Sequence, residues 1–123
     1  MNDSNLFIAS NGDLHDTSTP NWHEESPLRE KYRYHFRNIK NTTQLKATLR
    51  AGSSTSLGGY PLYFITSDGG ALSFESVRSE LSSVLDSIKN DINDGWKVIG
   101  CDVNYEDQNL FCDHSNQQIE SAY

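Results

Sequence analysis

A chain of 123 residues has room for one domain and too little for two well-filled cores. Leu, Ile, Val and Phe supply 27 of those residues, just above the level at which a net charge of −7 leaves a chain disordered. No apolar run reaches the ~20 residues of a membrane span and no basic start precedes an apolar stretch, so membrane-spanning and exported readings are excluded. Cys101 and Cys112 cannot build a disulfide framework, and a reducing cytoplasm is the expected location.

Charge divides the chain into three blocks. Residues 1–28 hold five acids and no Lys or Arg; residues 29–50 hold seven bases against Glu30; residues 51–123 hold eleven acids against three bases. An acidic body of this kind disfavours contact with phosphate and favours basic partners or simple solubility.

Residues 1–26 are rich in Asn, Ser, Thr and Asp and read as a polar acidic tail, with one edge strand at Leu6-Phe7-Ile8-Ala9 and Trp22 as an anchor. Residues 27–123 form the single domain. Ser26-Pro27 pairs a helix cap with a proline at the first helical position, and Leu28, Tyr32, Phe36 and Ile39 follow on one helical face. Lys31 to Arg37 also alternates basic and aromatic at period two, as a strand would; the caps favour the helix. Asn41 and Gln44 form a capping box for a short helix that carries Leu45 and Leu49 and stops at Gly52. Residues 52–59 are a flexible loop. A hairpin over 60–74 turns at Asp68-Gly69.

From 75 to 93 the apolar residues Val77, Leu81, Val84, Leu85, Ile88 and Ile92, with Phe74 just before them, fall in one sector of about 100°, which predicts a single long amphipathic helix. A strand at 96–105 places Ile99, Cys101, Val103 and Tyr105 on one face, and a last strand lies within 109–120. The expected class is α+β: a small, mainly antiparallel sheet packed against the long helix, with a helical N-terminal extension.

Several segments carry a resemblance. They are Leu49-Arg50-Ala51-Gly52, Gly58-Gly59-Tyr60-Pro61-Leu62-Tyr63-Phe64, Thr66 to Glu75, Asp94-Gly95-Trp96-Lys97-Val98, Val103 to Asp107 and Ile119 to Tyr123. Together, over about residues 45–123, they resemble a family of short uncharacterised proteins of phages, plasmids and other mobile elements. Some similar proteins carry two Cys-x-x-Cys knuckles, a zinc-ribbon-like arrangement whose four thiolates close a tetrahedral site. The corresponding positions here read Ser73-Phe74-Glu75-Ser76 and Cys112-Asp113-His114-Ser115. Because a serine hydroxyl stays protonated, the resemblance implies a degenerate zinc ribbon that folds without metal or other cofactor, with Cys112 and His114 as residual candidate ligands.

No residue pattern marks an enzyme. Cys112 and His114 lack an oxyanion hole and an orienting third group, and Gly69-Gly70 belongs to no phosphate-binding motif. The acids Glu80, Asp86, Asp91, Glu106 and Asp107 are the candidate binding surface for a host or phage protein with a basic surface. Small size, acidity and the resemblance together imply an inhibitor of a host defence system, anti-CRISPR or anti-restriction, with carboxylates imitating DNA phosphates. The alternatives are a nucleic-acid-binding regulator using segment 29–40, in which Lys31, Arg33 and Arg37 neutralise phosphates and Tyr34 stacks on bases, and a residual zinc-binding module.

Overall fold

The computed structural model describes residues 6–9, 11–18, 20–30, 32, 37–55 and 59–123. It is an α+β arrangement whose sheets are antiparallel. Strands β1 (Leu6–Ile8) and β2 (Leu14–Asp16) pair as a hairpin, followed by a 3-10 turn at Trp22–Glu24. Helix α1 (Thr42–Ala51) comes next, then β3 (Leu62–Thr66) and β4 (Ala71–Leu72). Helices α2 (Phe74–Ser79) and α3 (Leu81–Lys89) lead into β5 (Val98–Val103).

The main sheet has the order β4-β3-β5. The hairpin predicted at 60–74 is present, and Gly69 takes the positive φ of 84° that its turn requires. Register between β3 and β5 sets Leu62 opposite Val103 at one end and Thr66 opposite Val98 at the other. Neither outer edge is bare. The backbone of Asp113 donates to the Ala71 carbonyl beside β4. Beside β5, Ile39 donates to Ile99 and Cys101 donates to Arg37. Gly100 makes this last approach possible, because a Cβ there would lie 2.8 Å from the Arg37 carbonyl oxygen.

The principal core lies between this sheet and the helices. Leu45 and Leu49 of α1 meet Leu62, Phe64, Leu72, Val77, Val84, Val98 and Cys101, and the Phe64 and Phe74 rings stack with centroids 4.2 Å apart. A second, smaller cluster joins Leu14, Tyr32 and Ala47. Helix α1 is therefore the shared wall. Its Thr48 hydroxyl accepts a bond of 3.0 Å from the buried Arg29 guanidinium, which also donates to the Asn38 carbonyl. The Asn41 cap behaves as expected, its side chain accepting from Gln44 N at 2.8 Å.

The structure corrects the sequence reading in six places. The single long helix is two helices interrupted at Glu80, whose backbone sits at φ −112°, ψ 33°. Two bonds lie beside the break: Ser79 Oγ donates back to the Ser76 carbonyl, and the Arg78 guanidinium donates to the Leu49 carbonyl of α1. The helix also ends earlier than Asn93. Asp91 adopts φ 54°, Ile92 N donates to Ser87 O and Asp91 N donates to Ile88 O, a Schellman closure that leaves Ile92 exposed.

The third correction is to β5. The β3–β5 register shifts where Ile65 opposes Gly100 and Thr66 opposes Val98, so Ile99 is an extra residue and faces solvent, 46% exposed. The alternation changes phase there: Val98, Cys101 and Val103 are buried, while Tyr105 is exposed rather than core. Fourth, the N-terminal extension is helical at Tyr32 but not at 26–30 or 37–40 on either side of it. Arg29 bridges β2 at Leu14, and residues 37–39 run along β5. The rest of that predicted helix, 31 and 33–36, lies outside the described residues. Leu14, in the stretch read as a tail, is only 1% exposed. The last predicted strand reduces to a bridge between Phe111 and Gln118.

Candidate functional site

The five candidate acids fall into two groups at opposite ends of the sheet. Asp91 pairs with Lys97, next to Val98 and so at the Thr66 end. On the same helical run, Asp86 accepts from Asn90 Nδ2 at 2.7 Å, and Glu80 lies 3.7 Å from His114 Nε2. Glu106 and Asp107 follow β5 and sit at the Leu62–Val103 end. A strand rises about 3.3 Å per residue, so the length of β5 keeps the Asp91 end and the Glu106 end roughly 17 Å apart. One flat partner surface does not meet all five equally.

At the Leu62 end a buried asparagine organises the site. The Asn104 side-chain amide donates to the carbonyls of Asp107 (3.0 Å), Glu120 (3.1 Å) and Ile119 (3.4 Å), while its Oδ1 accepts from Asp107 N at 3.1 Å. Its own carbonyl accepts from Ala122 N, and the Tyr105 carbonyl accepts from Tyr123 N. A turn and a segment fifteen residues further on are thereby fastened together. The consequence is a cluster of tyrosines. The Tyr60 and Tyr105 rings meet edge-on at 5.4 Å, and the neighbouring Tyr123 side chain pushes the Tyr60 phenol above its usual range. Tyr105 is 48% exposed and Tyr123 is 70% exposed.

Among the described residues none of Glu106, Asp107 and Glu120 has a cation within salt-bridge distance. Asp107 Oδ1 accepts only from the backbone of Asn109, at 2.9 Å. A cleft of about 270 Å3 continues from Glu120 to Glu75, floored by Leu62 and Phe74. Burial, then the nearby carboxylates of Asp102 and Asp107, push the Tyr63 phenol up, which places Asp107 within electrostatic reach of the sheet face. Sequence reading found Glu106 and Asp107 but not Tyr60, Tyr105, Asn104, Glu120 or Tyr123. The available signal was Tyr105 directly before the two acids, masked by the alternation that assigned it to the core.

The serine and cysteine positions that the resemblance singled out do converge. Ser73 caps α2, its Oγ accepting from Ser76 N at 3.1 Å and lying 3.1 Å from Ser76 Oγ. Cys112 Sγ accepts from Ser73 N at 3.3 Å and lies 3.2 Å from Ser76 Oγ. Burial raises the Cys112 thiol, yet the donors of Ser115, Ser76 and Ser73 outweigh it and bring the pKa down to about 6. Cys101 shows the opposite result: burial, reinforced by Asp102, pushes its thiol up to about 12. His114 is not turned into this cradle. Its ring packs on Trp96 at 5.0 Å and faces Glu80, so Cys112 and His114 serve different surroundings. Among the described residues no three His, Cys, Asp or Glu side chains gather as metal donors.

Of the basic candidates, Arg37 forms an ion pair with Asp102 at 3.2 Å, both half exposed. Lys31, Arg33 and Tyr34 lie outside the described residues. Among those described, no helix is long and apolar enough to cross a membrane. No protein-family model, curated protein or solved structure matches the chain.

Proposed function

We propose that this chain is a non-catalytic interaction protein that captures a protein partner through a basic surface. The observation that carries this reading is the group Glu106, Asp107 and Glu120, which among the described residues lacks any cationic partner of its own, whereas Glu80 and Asp91 already face His114 and Lys97. Carboxylates left without counter-charge repel one another in the free protein, and a partner's Lys and Arg relieve that repulsion. Such complementarity mainly accelerates encounter and fixes orientation. The one activated thiol, Cys112, is buried among hydroxyl groups, which suits a structural role better than attack on a substrate. In the mobile-element setting that the resemblance implies, the partner is a host defence enzyme whose nucleic-acid groove is basic, and the carboxylates occupy the place of phosphates.

The test begins with recovery of the partner from the native host by affinity capture and mass spectrometry, followed by binding kinetics with the purified pair. Association should slow as salt rises and the Debye length falls below ~10 Å. The double reversal Glu106→Lys with Asp107→Lys should weaken capture at least tenfold and leave the far-UV circular dichroism unchanged, while reversal of Arg33 and Arg37 changes it little. Tight binding of the wild type to duplex DNA or RNA, lost on reversing Arg33 and Arg37 and kept on reversing the acids, would overturn the reading in favour of a nucleic-acid regulator.

A further inference from the structure

At the other end of the sheet from Glu106 and Asp107, a groove of about 460 Å3 opens between residues 38–40, α3 and the start of β5. Four aliphatic side chains line it: Ile39 and Val98, which are buried, Ile88, which is half-buried, and Ile99, which is exposed. The bulge in β5 turns Ile99 out of the core and onto this groove, and re-aiming a side chain is what such bulges do. The volume lies within the range of about 300–1,000 Å3 typical of small-molecule sites, which combine an apolar lining with a few convergent polar groups. Here the polar groups are Lys40, Lys97 and Asp91. The Lys97 ammonium donates to the Asp91 carboxylate and, at 3.2 Å, to Asn93 Oδ1, so one of its three protons is left for another acceptor. Among the described residues Lys40 has no carboxylate within salt-bridge distance. Two cations against one anion give this groove a positive charge, in a chain whose net charge is −7.

We propose that this groove binds a free aliphatic monocarboxylate: its hydrocarbon chain lies against Ile39, Ile88, Val98 and Ile99, and its carboxylate is received by Lys40 and Lys97. Charge selects the head group. A monoanion matches the single uncompensated positive charge, whereas a dianion exceeds it and a cation meets two ammonium groups. The lining selects the rest, because an anion without a chain leaves the isoleucines in water and gains nothing from them. The site shares no residue with Glu106, Asp107 and Glu120, and it stands or falls without them.

The experiment uses the full chain, labelled with nitrogen-15 and titrated with butyrate, hexanoate and octanoate, then with 1-hexanol and hexylammonium. Amide shifts should centre on Ile39, Lys40, Ile88, Lys97 and Ile99. Complete burial of one methylene is worth about fourfold in affinity, so in a groove open on one side each added pair of carbons should gain at least about threefold. Hexanoate should bind at least about threefold more tightly than hexanol or hexylammonium. Lys40→Gln should remove most of that preference, and Ile99→Ser should flatten the dependence on chain length. Both positions are exposed, so the fold tolerates either change. Absence of octanoate binding, affinity independent of chain length, equal affinity for the three hexyl probes, shifts centred elsewhere, or unchanged affinities in both variants would each overturn the site.

Discussion

At the scale of single residues, Cys112 shows how hydroxyl and amide donors hold a buried sulfur. Ser73 and Ser76 arrive on the N-terminal turn of α2 and Cys112 beside β4, so that they and Ser115 supply the donors around one sulfur. Two outcomes follow. Cys112 titrates at about 6 in the folded chain, below an unperturbed thiol near 8.5. Thiolate formation is thus favoured by folding: the resulting stability is fully present above the unfolded value and is lost as pH falls through about 6. Thiolate absorbance near 240 nm should therefore rise around pH 6, with the Cys101 contribution delayed to about 12. Denaturation midpoints should increase from pH 6 to 9 in the wild type more steeply than in Cys112→Ser. Second, the combined change Ser73→Cys, Ser76→Cys and Ser115→Cys should create a stoichiometric zinc site, read by elemental analysis and by cobalt substitution. The wild type should keep its circular dichroism after chelator treatment.

At the scale of elements, the legible parts of the sequence were those whose cause is local. The hairpin turn was readable because Asp68-Gly69 supplies its own geometry, and α1 because Asn41 and Gln44 cap it within three residues. The break at Glu80 was not, since apolar periodicity passes through it undisturbed, and beside it Arg78 bonds to Leu49, nearly thirty residues away. The same applies to Ile99, whose exposure follows from pairing with β3, and to Asn104, whose role depends on chain that arrives only at Ile119 and Glu120. The candidate site was legible as two acids, and the Asn104 tie beneath it was not, for that reason. Helix ends provide a direct check. Asp91 occupies left-handed backbone, so Asp91→Gly should stay within about 1 kcal/mol of the wild type, since an exposed ion pair with Lys97 contributes little. Asp91→Val, whose branched Cβ fits that backbone poorly, should cost more than about 1 kcal/mol in a urea titration.

At the scale of the whole molecule, two cores of unequal size share α1. Leu45 faces the larger and Ala47 the smaller. Leu45→Ala should cost about 2–5 kcal/mol and lower the stability of every element together. The smaller cluster buries only Leu14, Tyr32 and Ala47 among the described residues, so its backbone should open without the rest. Amide exchange in Leu6–Asp16 should accordingly be faster than in β3 and β5, and Leu14→Ala should speed it further while leaving β3 protected. Equal protection across both regions would show one cooperative unit instead.

The strap along β5 has a consequence for how the chain behaves in a crowded solution. A three-stranded sheet offers two rows of unsatisfied backbone groups, each a template on which another chain can add a strand. In this fold Asp113 occupies one row and residues 37–39 the other, and the second arrangement depends on a single missing side chain at Gly100. Gly100→Ala pushes a methyl group against the Arg37 carbonyl and lifts the strap. The expected result is self-association through the freed strand, visible as a rise in light scattering and thioflavin T fluorescence at concentrations where the wild type stays dispersed. Gly100 thus protects the protein from itself, a task distinct from stabilising the fold.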